Sequence, residues 1–151
     1  MRSGAVIAAA LAATLAAVAG IGCGKMGPPR LPQLAIPLEP QPVQVRNVAD
    51  GIAVTFRRPR EYRDGVALDD LGNFEISRSC AHAPGPIPVA NIPVVDHGRL
   101  QKQSQITLVD FDPQPGQTCT YRVVAVTLDG YRSAPADSEP IKREIPLAVT
   151  P

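Results

Sequence analysis

Apolar and polar residues follow three different rhythms along this chain. Ala5 to Gly22 is an uncharged apolar run, Gly24 to Pro42 holds no period of 2 or 3.6, and from Val43 the alternation of half-buried strands sets in. Val43-Gln44-Val45 alternates, and Asp50-Gly51 marks a turn into Ile52-Ala53-Val54-Thr55-Phe56, whose Ile52, Val54 and Phe56 share one face. Pro59 ends that strand. A loop with Asp64-Gly65 and Leu71-Gly72 leads into Phe74-Glu75-Ile76-Ser77-Arg78, with Phe74 and Ile76 inward. The proline-rich stretch Pro84 to Pro93 can hold only an irregular or edge strand. Ile106 to Val109 precedes the turn Pro113-Gln114-Pro115-Gly116, and Thr118 to Leu128 places Tyr121, Val123, Ala125 and Thr127 on one face. Asp129-Gly130 then closes into a last strand near Ser133 to Lys142. Seven short strands separated by turn signals predict a single antiparallel all-β sandwich.

The first rhythm is not part of that fold. Arg2, the apolar run and the small residues after it have the layout of a secretory signal peptide, here residues 1–22, expected as a signal helix. Gly20-Ile21-Gly22-Cys23 resembles a bacterial lipobox, with Gly20 standing where Leu is usual. That resemblance implies cleavage before Cys23, a thioether to diacylglycerol on its sulfur and acylation of the new amine. Three acyl chains exceed the two signals that stable anchoring needs. The run Cys-Gly-Lys-Met-Gly-Pro-Pro also resembles the C-G-x-x-G-P start of small bacterial lipoproteins, some tied to lipopolysaccharide assembly. Gly24 after the cysteine favours the outer membrane, facing the periplasm, under the sorting rule of such lipoproteins. The alternative is cleavage after Ala17-Val18-Ala19, releasing a secreted or periplasmic soluble chain. Residues 23–42 are then expected as lipidated cysteine and linker. The prolines at 28, 29, 32, 37, 40 and 42 favour a polyproline II stalk. The domain itself is expected over 43–147, with a tail at 148–151.

Within that domain the resemblance is to fibronectin type III, which implies an immunoglobulin-like sandwich. It is carried by Gly51 to Phe56 as strand B, Asn73 to Ser79 as strand C, and Pro115-Gly116-Gln117-Thr118-Cys119-Thr120-Tyr121-Arg122-Val123-Val124-Ala125-Val126 as the turn into strand F. Asp129 to Pro135 matches the F to G loop. Phe56 stands where the core Trp of that family is usual, and Cys119 stands at the tyrosine corner, with Tyr121 two residues on. Strands C and F are antiparallel neighbours in such a sandwich, so the resemblance implies a disulfide between Cys80, at the end of C, and Cys119, at the start of F. The alternative is two separate thiols. Export to an oxidising compartment favours the bond.

Composition narrows the function. Arg2 is the only charged residue before Cys23, so the chain beyond it carries 14 Lys plus Arg against 14 Asp plus Glu, and no nucleic acid is expected as a partner. Arg57, Arg58, Arg60 and Arg63 read as a solvated strand end and loop. His82 and His97 have no ligand-spaced companions, and Asp110 and Asp112 around Phe111 read as solvated loop residues rather than calcium ligands. Neither a nucleophile elbow nor a phosphate loop is present. An enzyme is therefore not expected, nor is a metal or cofactor. The expected partners are the membrane, through lipid on Cys23, and a protein or glycan of the envelope. An assembly role acting through the N-terminal segment is the alternative. The expected contact surface joins the loop Arg57 to Asn73 with Asp129 to Ser133, through Arg60, Tyr62, Arg63, Tyr131 and Arg132, residue types favoured at hot spots.

Overall fold

Alternation of small, β-branched and aromatic residues with polar ones builds two sheets in the computed structural model, which describes residues 31–94 and 104–144. The signal region, Cys23, His97 and the tail lie outside the described residues. Strands β1 (Val43–Asn47), β2 (Ile52–Arg57) and β5 (Gln105–Asp110) form one antiparallel sheet in the order β1-β2-β5. The second is formed by β3 (Leu71–Cys80), β4 (Ile87–Pro93), β6 (Thr118–Thr127), β7 (Ala136–Asp137) and β8 (Ile141–Lys142), ordered β4-β3-β6-β7 with β8 also on β6.

The core lies between the sheets. Ile52, Val54 and Phe56 of β2 face Leu71, Phe74 and Ile76 of β3 and Cys119, Tyr121, Val123 and Ala125 of β6, all buried. This is the face that alternation predicts. Phe56, in the place of the expected Trp, meets Phe74 of the other sheet edge to face, with ring centroids 5.0 Å apart. Such a pair contributes roughly 0.5–1.5 kcal/mol beyond its buried area. At the β1–β2 turn the backbone of Gly51 passes so close to β5 that a Cβ would lie 2.2 Å from the Asp110 carbonyl oxygen, a position only glycine can fill.

The proline-rich stretch forms an edge strand. β4 pairs with β3 through Asn73↔Pro93 to Arg78↔Ile87, with a bulge at Ile76/Ser77. Proline enters a ladder only where its nitrogen faces away from the partner. Pro88 and Pro93 therefore turn donor-free positions to the outer side of β4, where no strand pairs among the described residues.

The last strand is not the single run expected between Ser133 and Lys142. It is broken into β7 and β8, and a repeated Ser-x-Pro explains the breaks. Ser133 precedes Pro135 and Ser138 precedes Pro140 by two residues, so the ladder with β6 cannot continue unbroken. Both serines are buried. Each accepts a β6 amide through Oγ: Ala125 N–H to Ser133 at 3.0 Å and Tyr121 N–H to Ser138 at 3.0 Å. Each also donates its own amide back to the carbonyl of that residue, at 2.9 Å and 2.8 Å. The chain beyond β8 is clamped to the β1–β2 turn. Asn47 donates to the Lys142 carbonyl and accepts from the Glu144 amide, while the buried Arg143 guanidinium donates to the Val48 and Ala49 carbonyls.

The expected stalk is corrected where it can be seen. Residues 35–40 pack on the domain, with Ala35, Pro37 and Pro40 buried and Pro37 bridged to Tyr62. The Leu38 amide donates to the Glu61 carbonyl at 3.0 Å and the Arg63 amide to the Ile36 carbonyl at 2.9 Å. A proline run has no hydrogen bonds of its own to satisfy, and burial of its rings here outweighs free extension.

Candidate functional site

The loop between β2 and β3 is organised around Tyr62. Its side chain is 3% exposed, and its hydroxyl donates to Asp70 Oδ1 at 2.5 Å and lies 3.2 Å from Asp69 Oδ1. Burial, then the Asp70 hydrogen bond and the two negative charges, push its phenol above the ordinary tyrosine range. Tyr62 is thus a pillar of the loop rather than the expected contact residue. Arg60 and Arg63 on either side of it are exposed. Arg57, Arg58 and Arg60 with Gln41, Ser104 and Gln105 line an open groove of about 460 Å³.

The other two expected contacts do not join that set. Tyr131 is half-buried, its amide bonded to Thr127 Oγ1 at 3.0 Å. Arg132 is exposed, but its guanidinium forks onto the Glu75 carboxylate on the outer face of β3, and that hydrogen bond raises its pKa. With Arg122, paired to Asp137 at 2.7 Å, it borders a groove of about 650 Å³ floored by Val89, Ala90 and Val124. Exposed pairs of this kind contribute little to stability because solvent screens them. The surface expected as one patch is therefore two: an arginine-lined loop end and an ion-paired outer sheet face.

Cys80 and Cys119 are register partners on β3 and β6 and are joined in a disulfide, S–S 2.08 Å. Beside the bridge lies a buried network that pattern reading missed. Arg78 shares the inward parity of Phe74 and Ile76, and its Nη1 meets Asp110 Oδ2 of the opposite sheet at 2.5 Å. Tyr121 donates its hydroxyl to the same oxygen at 2.9 Å. Asp110, expected to be solvated, is 4% exposed, whereas Asp112 is open to solvent and 3.7 Å from Arg78. Burial opposes the charge on Arg78, but the hydrogen bond and charge of Asp110 outweigh it and the pKa rises. Burial, then Asp110, raise the Tyr121 phenol above its ordinary range despite the nearby guanidinium. The parity of residues 74, 76 and 78 was the available signal; a charged side chain at the third position masked it.

These groups tie the sheets together and present no nucleophile beside a base. Among the described residues no three His, Cys, Asp or Glu side chains come close enough to hold a metal, and no helix is long and apolar enough to cross a membrane.

Two antiparallel sheets of three and five strands, with this strand order and a core between them, define a fibronectin type III-like sandwich. No family model and no curated protein matches the sequence. Solved structures do. Domains A168–A170 of titin are 20% identical with a TM-score of 0.51 over 72% of this chain, and the twitchin kinase region of C. elegans is 15% identical with a TM-score of 0.52 over the same share. The chain spans about a third of the titin fragment (32%) and 17% of the twitchin one. The third fibronectin III domain of human KIAA0343 is 12% identical with a TM-score of 0.50, covering 85% of this chain and 99% of that domain. At these identities the likeness concerns the fold.

Proposed function

We propose that this is a non-catalytic, lipid-anchored protein of the bacterial envelope, held to its membrane through Cys23 and facing the periplasm from the outer membrane. Its sandwich serves as a binding or scaffold module for an envelope protein or glycan. The observation that supports this reading is the Cys80–Cys119 bridge. Such bonds persist in oxidising compartments, so an internal feature of the domain agrees with the export signal at the other end of the sequence. The odd third cysteine is then the one at the lipobox. A rigid sandwich with function in its loops is the ordinary use of such a scaffold.

Mass spectrometry of the mature N-terminus tests the anchor. The expected chain begins at Cys23 and carries the mass of a diacylglyceryl group plus an acyl chain. A chain beginning at Gly20 with an unmodified Cys23 defeats the reading.

A further inference from the structure

Each sheet of the sandwich ends in edge strands, and unpaired backbone groups along an edge invite another strand unless something discourages it. β4 carries Pro88, Pro93 and a bulge. β7 and β8 are two residues each, with Pro140 between them. β1 carries the charge of Arg46, and its Asn47 is engaged with Lys142 and Glu144. β5 has none of these devices. From Gln105 to Val109 it holds no charge, proline or glycine, its register with β2 is unbroken, and Ile106, Thr107 and Val109 are β-branched, the type that favours pairing.

The ladder with β2 fixes which groups of β5 are open. The Arg58 amide donates to the Ser104 carbonyl at 3.0 Å, which makes Arg57↔Gln105 a non-hydrogen-bonded pair. Bonding alternates from there, so Ile106, Leu108 and Asp110 exchange bonds with β2 while Gln105, Thr107 and Val109 turn their N–H and C=O outward. Among the described residues those three amides have no acceptor. The outward set is symmetric about Thr107. A two-fold axis there sets Thr107 opposite Thr107 of a second copy and Gln105 opposite Val109 of that copy, so each outward N–H meets an outward C=O. The same register lays Ile106 beside Leu108 of the second copy, and both are partly buried side chains at the rim of the core. A two-fold axis also brings like charges together near its centre, and β5 has none before Asp110, which is buried and falls opposite Ser104.

We infer that the chain pairs with a second copy of itself through β5, the two three-stranded sheets joining into one antiparallel sheet that the two-fold axis at Thr107 closes. An extended peptide of another protein requires no such symmetry, whereas the symmetric outward groups, the uncharged strand and the matched apolar rims are what self-pairing requires. So short a contact makes a weak dimer in solution. The inference stands on the sandwich alone and does not need the proposed anchor.

The full chain with Cys23→Ser, in excess detergent micelles, tests the pairing without the tether. Sedimentation equilibrium over a concentration series into the millimolar range is expected to show a monomer–dimer equilibrium. Amide exchange of the same chain should slow with concentration at Gln105, Thr107 and Val109, and not at Ile106 and Leu108, which β2 already protects. Thr107→Pro removes an outward donor without touching the β2 ladder, and Thr107→Lys sets like charges across the axis. Each is expected to raise the dissociation constant roughly tenfold or more with circular dichroism unchanged. Thr107→Cys should cross-link two copies on oxidation, while Asn91→Cys, exposed on β4, should not. A chain that stays monomeric overturns the inference: slow exchange at Gln105, Thr107 and Val109 then assigns the edge to residues 95–103 of the same chain, and fast exchange leaves it to a peptide of another protein. A dimer that survives both Thr107→Pro and Thr107→Lys forms through a different surface and overturns the inference as well.

Discussion

Asp110 receives a guanidinium and a phenol on one carboxylate oxygen inside the sandwich, so its removal does more than delete a contact. Arg78 would remain buried with only the solvent-exposed Asp112 carboxylate 3.7 Å away as counter-charge, and its Nε already has no partner. Asp110→Ala is therefore expected to destabilise the fold by about 3–5 kcal/mol, read as a lower urea midpoint. Replacing both charges by apolar residues, Arg78→Met with Asp110→Leu, should cost less than the single change, because no buried charge is left alone. The two buried phenols give a pH prediction. Their folded pKa values lie above the unfolded value of about 10, so the folded state holds those protons more tightly. Their contribution is complete below about pH 10 and is lost as the pH rises further. An ultraviolet titration of phenolate should show Tyr62 and Tyr121 ionising together with loss of the fold, and early ionisation of both in a folded chain would contradict this.

Among the elements, the broken final strand rests on two serine hydroxyls. Ser138→Ala or Ser133→Ala leaves a buried β6 amide without an acceptor, at a cost of about 1–3 kcal/mol each. Faster amide exchange at Tyr121 in the first variant and at Ala125 in the second checks the assignment. What the sequence disclosed about these elements has a physical boundary. Ile52, Val54 and Phe56, or Tyr121, Val123 and Ala125, announce their buried face because alternation is the geometry of a strand. Ser133 and Ser138 carry no such mark, since a hydroxyl suits a turn as well as a ladder. Pro37 and Pro40 signal extension whether they are free in solvent or packed under a loop, so composition could not separate stalk from domain. Tyr62 reads as a hot-spot residue by type, and only the nearby carboxylates of Asp69 and Asp70 turn it inward.

The whole sandwich is closed by few long-range devices for a chain with so little aromatic mass. The disulfide spans 39 residues of sequence and lies at the same end of β6 as the buried network. In the chain-entropy model it contributes about 4 kcal/mol, so Cys80→Ser with Cys119→Ser should lower the thermal midpoint by several degrees to tens of degrees. Alkylation of a Cys23→Ser chain should find no free thiol until reductant is added. The blunted outer side of β4 bears on a different question, that of numbers. With the proposed anchor, copies would diffuse in two dimensions and meet at densities that solution rarely reaches, where an open strand edge would seed growth of a common sheet. Pro88 and Pro93 remove two donors from this edge, which weakens pairing of β4 with a strand of another copy. On the proposed membrane surface that restraint would leave copies less prone to join along this edge into a common sheet.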